Sequence, residues 1–383
     1  MSDALHEAVG AAIAGSLGSR AWVWPDEDFD ALARSLFSHQ FEGCPPYRGY
    51  CEGRGVTPSS LTSYREIPAV PTDVFKTVPL ATFPEEEAAL TFLTSGTTVG
   101  TRGRHLLRTG VTYERSLAPW LRRWLVPRND EPLVLALMAP LEEDPHSSLG
   151  YMVQWAVDHV GAPGSRHCWS DGPDLTALAH AVAGATRPVL LLGTARALQF
   201  LLEERLVHEG MPLPAGSRVM ETGGFKGAAR TLERDAFYVR LGRGLSVPGH
   251  AIISEYGMTE LGSQGYQPGL RALSDRSLAR KLGSPPLSWP ADSADGDGVP
   301  RVLVFPPWCR VSTVDPETLE LAAPGERGLL RFWDLSNVDS VLAVQTADVG
   351  VVLPQGVLLE GRSPGSTPRG CSLAVDEILA AAR

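Results

Sequence analysis

The sequence predicts an α/β protein, with a mostly parallel, helix-covered sheet and a smaller β-rich C-terminal subdomain. Two observations carry this. Between about 131 and 255, apolar runs at 133–139, 188–193, 217–221 and 250–254 alternate with helical segments at 150–160, 174–185, 195–209 and 229–241. Such alternation is the pattern of a parallel sheet covered by helices. After residue 284 the character changes. Prolines and an acidic glycine turn at 292–298 mark a boundary, and short strand-like runs follow at 300–305, 328–333, 341–345, 349–353 and 356–360. The division this predicts is 1–283 for an α/β core and 284–383 for the β-rich part.

The remaining elements follow in order. Residues 1–20 are small and Ala/Gly-rich, and are expected to be loosely held. Residues 29–41 place apolar groups at helical spacing, with Asp26 or Asp28 as the start signal. A turn-rich segment covers 44–63, and an extended, proline-studded strip covers 67–76. The run 90–93 reads as a strand, and 374–382 as a short closing helix. There is no internal repeat and no low-complexity tract.

At 383 residues, with 43% hydrophobic and 20% charged residues, the chain has the composition of an ordinary globular protein. Its net charge of −10 argues against nonspecific nucleic-acid binding. Lysine is confined to Lys76, Lys226 and Lys281, so chemistry that needs a lysine has three candidates. The five cysteines, Cys44, Cys51, Cys168, Cys309 and Cys371, form no Cys-x-x-Cys pair. That pattern is neither a disulfide framework nor a zinc signature, and a reducing, cytoplasmic setting is the expectation. No signal peptide and no membrane span are expected.

The densest chemistry lies at 94–105, Thr-Ser-Gly-Thr-Thr-Val-Gly-Thr-Arg-Gly-Arg-His. Glycines let backbone approach a ligand, successive N–H groups form an anion-binding nest, and hydroxyls and arginines add donors. The stretch reads as a phosphate-gripping loop, without the spacing of a Walker loop. Its polar-linker alternative does not explain the combined density of hydroxyls and charge. His105, inside the loop, is a candidate contact for phosphate or carboxylate.

Further along, Ile253-Ser-Glu-Tyr-Gly-Met-Thr-Glu260 ends a buried strand in an aromatic, a glycine, a hydroxyl and a carboxylate. Ligands of open α/β sheets bind at such strand ends. Tyr256 can stack on a base, Thr259 can donate to a phosphate, and Glu260 can hold Mg²⁺ through oxygen. In Glu221-Thr-Gly-Gly-Phe-Lys-Gly227, Gly223 and Gly224 let backbone meet a ring and Phe225 offers a face; a plain turn explains this stretch equally well. Cys371, in Arg369-Gly-Cys-Ser, sits beside an arginine expected to lower its thiol pKa, although a small buried residue under the last helix is the competing reading.

These motifs, in this order, resemble those of the adenylate-forming enzymes, the acyl-CoA synthetase and luciferase superfamily. Thr94, Ser95, Gly96, Thr97 and Thr98 match the family's phosphate loop. Val99 departs from the usual glycine, and Arg102 stands where lysine is common. Tyr256, Gly257, Thr259 and Glu260 match the family's Tyr-Gly-x-Thr-Glu motif. Gln345-Thr-Ala-Asp-Val-Gly350 is similar to its Thr-Gly-Asp motif, which implies that Asp348 accepts from ribose hydroxyls. Gly361-Arg362 is similar to its Gly-Arg hinge, which implies that Arg362 reaches ribose or phosphate. The resemblance also implies a Gly223–Gly224 adenine site, His146 beside the acyl pocket, and ATP and Mg²⁺ as cofactors.

Only 21 residues follow Arg362, and none is lysine. The family's mobile C-terminal domain, with its catalytic lysine, is therefore expected to be missing. This feature, with Ile67-Pro-Ala-Val-Pro, Phe75-Lys76 and Arg369-Gly-Cys-Ser-Leu373, narrows the resemblance to acyl-protein synthetases of the LuxE type. That implies activation of a fatty acid as acyl-adenylate, transfer to Cys371, and delivery to a partner such as an acyl reductase. Two alternatives remain open at this point. A compact ligase could transfer directly to coenzyme A, a carrier protein or an amine, or the chain could be a non-catalytic nucleotide-binding partner subunit.

Overall fold

The computed structural model describes residues 2–17, 24–94, 102–127, 130–206, 209–223, 230–272, 302–363 and 369–382. The chain opens with three helices, α1 (Ser2–Leu17), α2 (Asp26–Gly43) and α3 (Pro45–Gly53). The short strand β1 (Val70–Pro71) runs into a 3₁₀ turn, Thr72–Lys76, and a hairpin follows, β2 (Leu90–Leu93) and β3 (Arg104–Leu107). Next come α4 (Val111–Leu125), β4 (Leu133–Leu137), α5 (Ser148–His159), β5 (Arg166–His167), α6 (Leu175–Ala183), β6 (Val189–Thr194), α7 (Ala195–Leu201), β7 (Arg218–Thr222), α8 (Arg230–Leu245), β8 (Ile252–Tyr256) and β9 (Gly265–Tyr266). The C-terminal part contributes β10 (Val302–Leu303), β11 (Cys309–Val314), β12 (Arg327–Asp334), β13 (Ala343–Leu353), β14 (Gly356–Arg362) and a last helix, Arg369–Ala381.

One sheet has the order β5-β4-β6-β7-β8-β9, parallel except for the final pair. Its strands are near-continuous apolar runs because both faces are covered. Side chains alternate between those faces. Val134, Ala136, Leu190, Leu192, Met220 and Ile253 share a core with Trp120 and Trp124 of α4 and Met152 of α5. Leu135, Leu137, Leu191, Val219 and Ile252 pack instead with Leu178 of α6, Leu198 of α7 and Leu241 of α8.

The second sheet is antiparallel, in the order β10-β14-β13-β12-β11, and β1 joins β13 in parallel (Val70 opposite Val344). Its core residues Phe332, Trp333 and Val344 lie in one cluster with Phe29 and Phe37 of α2, Tyr47 of α3 and Ile378 of the last helix. The α/β architecture expected from the sequence is thus present, with its parallel helix-covered sheet and its antiparallel sheet.

Several local expectations differ. Residues 2–17 form a docked helix rather than a loose segment. Val9 and Ile13 are buried, and His6 Nε2 meets Asp339 Oδ2 at 2.9 Å. The turn-rich start at 45–53 is a helix, with prolines in its first turn, where a missing N–H costs nothing. The two strands expected at 341–345 and 349–353 are one strand, β13. Its polar middle is tolerated because Thr346 Oγ1 donates to the Leu330 carbonyl and Asp348 lies opposite Arg362. β11 and α4 had no counterpart among the expected elements.

Candidate active site

The loop expected to grip phosphate connects β2 and β3. Ser95, Gly96, Thr97 and Thr98 lie outside the described residues; its neck does not. Thr94 N–H donates to the Gly103 carbonyl at 2.9 Å, and Gly103 N–H donates to Thr94 Oγ1 at 2.8 Å. Gly103 is required there, since an added Cβ would come 2.9 Å from Thr94 Cγ2. Arg102 turns back on the neck, with Nε donating to the Thr94 carbonyl at 2.7 Å. It holds the loop's base in this geometry.

The end of β8 lies against this neck. His105 Nδ1 donates to the Thr259 carbonyl at 2.7 Å, and Thr259 Oγ1 lies 3.5 Å from the Leu93 carbonyl. His105 is 1% exposed, and its Nε2 has no partner among the described residues. Burial holds its pKa down at about 4, against a smaller upward effect of the Thr259 hydrogen bond. It is therefore a neutral strut joining loop and strand.

Glu260 follows directly. It is 5% exposed, and burial raises its carboxyl to about 7; the charges of Arg362 and Lys76 act in the opposite direction and that of Asp348 adds to the rise. Asn337 Nδ2 donates to the Glu260 carbonyl at 2.8 Å, and its Oδ1 accepts from Gly262 N–H at 2.9 Å. Gln40 of α2 holds the loop that carries Asn337, through the Asn337 carbonyl at 2.7 Å and Leu342 N–H at 2.9 Å.

Three motifs far apart in sequence meet at Tyr256. Its hydroxyl donates to Asp348 Oδ2 at 2.7 Å, and Arg362 Nε lies 3.4 Å from Asp348 Oδ1. Asp348 and Arg362 are opposite each other on β13 and β14. One face of the Tyr256 ring stacks on Phe332, with centroids 5.9 Å apart and an angle of 15°. Burial, and then the Asp348 charge, push the phenol pKa well up, so it remains a donor.

The other expected residues are placed as follows. Gly223 follows β7 with φ +88°, a conformation that favours glycine; Gly224 and Phe225 lie outside the described residues. His146 is exposed and clasps the edge of β2, its Nδ1 donating to the Thr91 carbonyl at 2.9 Å. Cys371 departs from expectation. It is 3% exposed, in a core with Ala374 and Ile378, and burial raises its thiol to about 11 despite the Arg331 charge. Desolvation outweighs the neighbouring cation, so the thiol is not activated in this arrangement.

Sequence reading passed over Asn337, Gln40 and the role of Lys76. Lys76 pairs with Asp73 at 2.6 Å and acts electrostatically on Glu260, while Asp73 acts on Cys371. A lone Asn or Gln carries no motif, and Lys76 was visible as one of three lysines and within Phe75-Lys76, with nothing to place it near Glu260. Among the described residues no group of three His, Cys, Asp or Glu side chains could hold a metal ion. None of the described helices is long and apolar enough to cross a membrane.

No family model matches the sequence, and no curated protein matches it either. Solved structures do match. A crystal structure of an open conformation of 2-hydroxyisobutyryl-CoA ligase, in complex with 2-HIB-AMP and CoA, superposes with a TM-score of 0.58 at 14% identity, over 91% of this chain and 78% of that one. The same ligase in the postadenylation state with 2-HIB-AMP gives a TM-score of 0.57 at 14% identity, over 87% and 67%. ATP-bound MatB from Rhodopseudomonas palustris gives 0.48 at 19% identity, over 73% of this chain. The chain spans about half of MatB, 49% of its length. The fold is therefore one shared with 2-hydroxyisobutyryl-CoA ligase.

Proposed function

We propose that this chain activates a carboxylic acid with ATP as an acyl-adenylate and passes the acyl group to a thiol. The supporting observation is the convergence of Tyr256, Asp348 and Arg362 beside Thr259–Glu260 and the loop neck, on a fold shared with a ligase crystallised with its acyl-AMP.

The acid's carboxylate oxygen attacks the α-phosphorus. The bond from that phosphorus to the oxygen bridging to the β-phosphate breaks, and pyrophosphate leaves. Negative charge builds on the phosphoryl oxygens, and a fixed set of donors stabilises it by placement rather than by rearrangement. Thr94, Arg102 and Thr259 would supply donors, and Asp348 and Arg362 would orient the ribose. Glu260 would hold Mg²⁺ through an oxygen of its buried carboxylate, a hard donor of the kind this ion takes. Mg²⁺ would supply charge neutralisation at the phosphates. In the second step a thiolate attacks the acyl carbon, forming a thioester and releasing AMP.

Cys371 is the acceptor implied by the LuxE-type resemblance, with a fatty acid as substrate and an acyl reductase or carrier protein as partner. Its burial and raised pKa require the last helix to shift before it can act. The same observation favours a second reading, direct transfer to coenzyme A, a carrier-protein thiol or an amine. ATP–pyrophosphate exchange with a panel of acids, followed by intact mass, tests both. Exchange plus an adduct that Cys371→Ser abolishes supports the acyl-enzyme. Exchange without an adduct supports direct transfer, and no exchange with any acid removes the adenylation reading.

A further inference from the structure

The 3₁₀ turn Thr72–Lys76 is clamped between two parts of the site. β1, which runs into it, pairs in parallel with β13, the strand that carries Asp348, and Pro71 lies opposite Gln345. On the other side Phe75 is buried against the loop neck. Its ring meets the His105 ring edge-on, with centroids 6.0 Å apart, and its Cβ would lie 3.5 Å from a Cβ added to Gly103. His105 in turn bonds the carbonyl of Thr259, the residue before Glu260. The last residue of this clamped turn is Lys76, the one lysine among the described residues. Its side chain is 47% exposed, so a fixed backbone carries a mobile ammonium.

The guanidinium groups at the site are engaged differently. Arg102 is spent on the Thr94 and Leu93 carbonyls, Arg104 pairs with Glu85, and Arg362 lies against Asp348 on the side assigned to ribose. Lys76 pairs with Asp73 of its own turn at 2.6 Å, and the Asp73 side chain is 39% exposed. An exposed pair of this kind contributes little, so the ammonium can leave it for a more highly charged partner at small cost. The Lys76 charge already acts on the Glu260 carboxyl, alongside that of Arg362. A triphosphate placed at Glu260 concentrates several negative charges there, and a lysine on its flexible stem is a point charge able to follow them as they move.

We infer that Lys76 is a catalytic residue of adenylation: its ammonium leaves Asp73, bonds the phosphate oxygens of ATP beside Glu260, and neutralises the charge that gathers as pyrophosphate departs. This rests on the adenylation reading. As the acid's oxygen bonds the α-phosphorus, the electron pair of the breaking bond stays on the bridging oxygen and leaves with pyrophosphate. No proton is transferred, and Lys76 remains an ammonium throughout. Asp73, freed of its partner, is exposed and returns to water.

The test measures acid-dependent ATP–pyrophosphate exchange in Mg²⁺ for the full chain, Lys76→Gln, Lys76→Arg and Asp73→Asn. Asp73→Asn breaks the same ion pair and leaves the ammonium, so it carries any structural share of the effect. The expected result is a loss of kcat of about a hundredfold or more in Lys76→Gln, the range for removing one donor aimed at developing charge. Lys76→Arg, which keeps the charge, should recover about tenfold of that loss, and Asp73→Asn should stay within about threefold of the chain. A loss of less than about tenfold in Lys76→Gln, or an equal loss in Asp73→Asn, overturns the inference while leaving adenylation standing. If no acid elicits exchange from the chain, calorimetric titration with MgATP decides separately. Binding weakened about tenfold or more in Lys76→Gln but not in Asp73→Asn upholds the phosphate contact, and equal affinity or none overturns it.

Discussion

Tyr256 and Asp348, on β8 of one sheet and β13 of the other, are joined by a 2.7 Å hydrogen bond from phenol to carboxylate. With the hydroxyl removed, Asp348 Oδ2 loses its donor while the ring keeps its stack on Phe332. Tyr256→Phe is expected to cost about 1–2 kcal/mol, read as a lower urea midpoint. An unchanged midpoint contradicts the assignment.

Arg362 separates binding from stability. Its side chain is 67% exposed and its Nε lies 3.4 Å from Asp348, so the pair contributes little to the fold. Arg362→Gln should change stability by less than about 0.5 kcal/mol. If Arg362 reaches the nucleotide, the same variant should raise KM for ATP about tenfold, the loss of one charged contact. A large stability loss with an unaltered KM would reverse that assignment.

The buried His105 gives a pH signature. Its folded pKa of about 4 lies below the ordinary value of 6.5, so the unfolded chain takes the proton first as pH falls. Its contribution is fully present above about 6.5 and is lost as pH falls towards 4, to the extent of about 3 kcal/mol. In NMR spectra the His105 ring carbon shifts should stay constant from pH 8 to 5. A titration midpoint near 6.5 would show that the ring is not buried as described.

Cys371 should behave as a protected thiol. With a pKa raised to about 11 by burial and a side chain 3% exposed, it should alkylate at least a hundredfold more slowly than a free cysteine at pH 8. Mass spectrometry after a timed pulse of iodoacetamide measures this. If ATP with the true acid substrate accelerates alkylation, the last helix moves during the reaction, as an acyl-Cys371 intermediate requires. Rapid labelling of the resting chain would contradict the burial.

The parallel sheet was legible because its strands are apolar on both faces and bounded by helical periodicity. Leu190, Leu191 and Leu192 admit no other reading. The strand-end cluster was legible because Tyr256, Thr259 and Glu260 lie within five residues. What failed depends on distant partners. The helix at 2–17 looks weak alone and is fixed by His6 against Asp339, 333 positions away. The state of Cys371 could not be read from Arg369 beside it, because burial decides the thiol pKa.

The central claim is that Glu260 and the residues around it form an adenylation centre. ATP–pyrophosphate exchange in Mg²⁺ with the best acid of the panel, compared between the chain and Glu260→Gln, tests it most directly. The account predicts acid-dependent exchange in the chain and a loss of at least a hundredfold in the variant, with unfolding unaltered or shifted slightly upward because a buried charge is removed. Exchange that survives Glu260→Gln undiminished, or that no acid elicits from the chain, would contradict it.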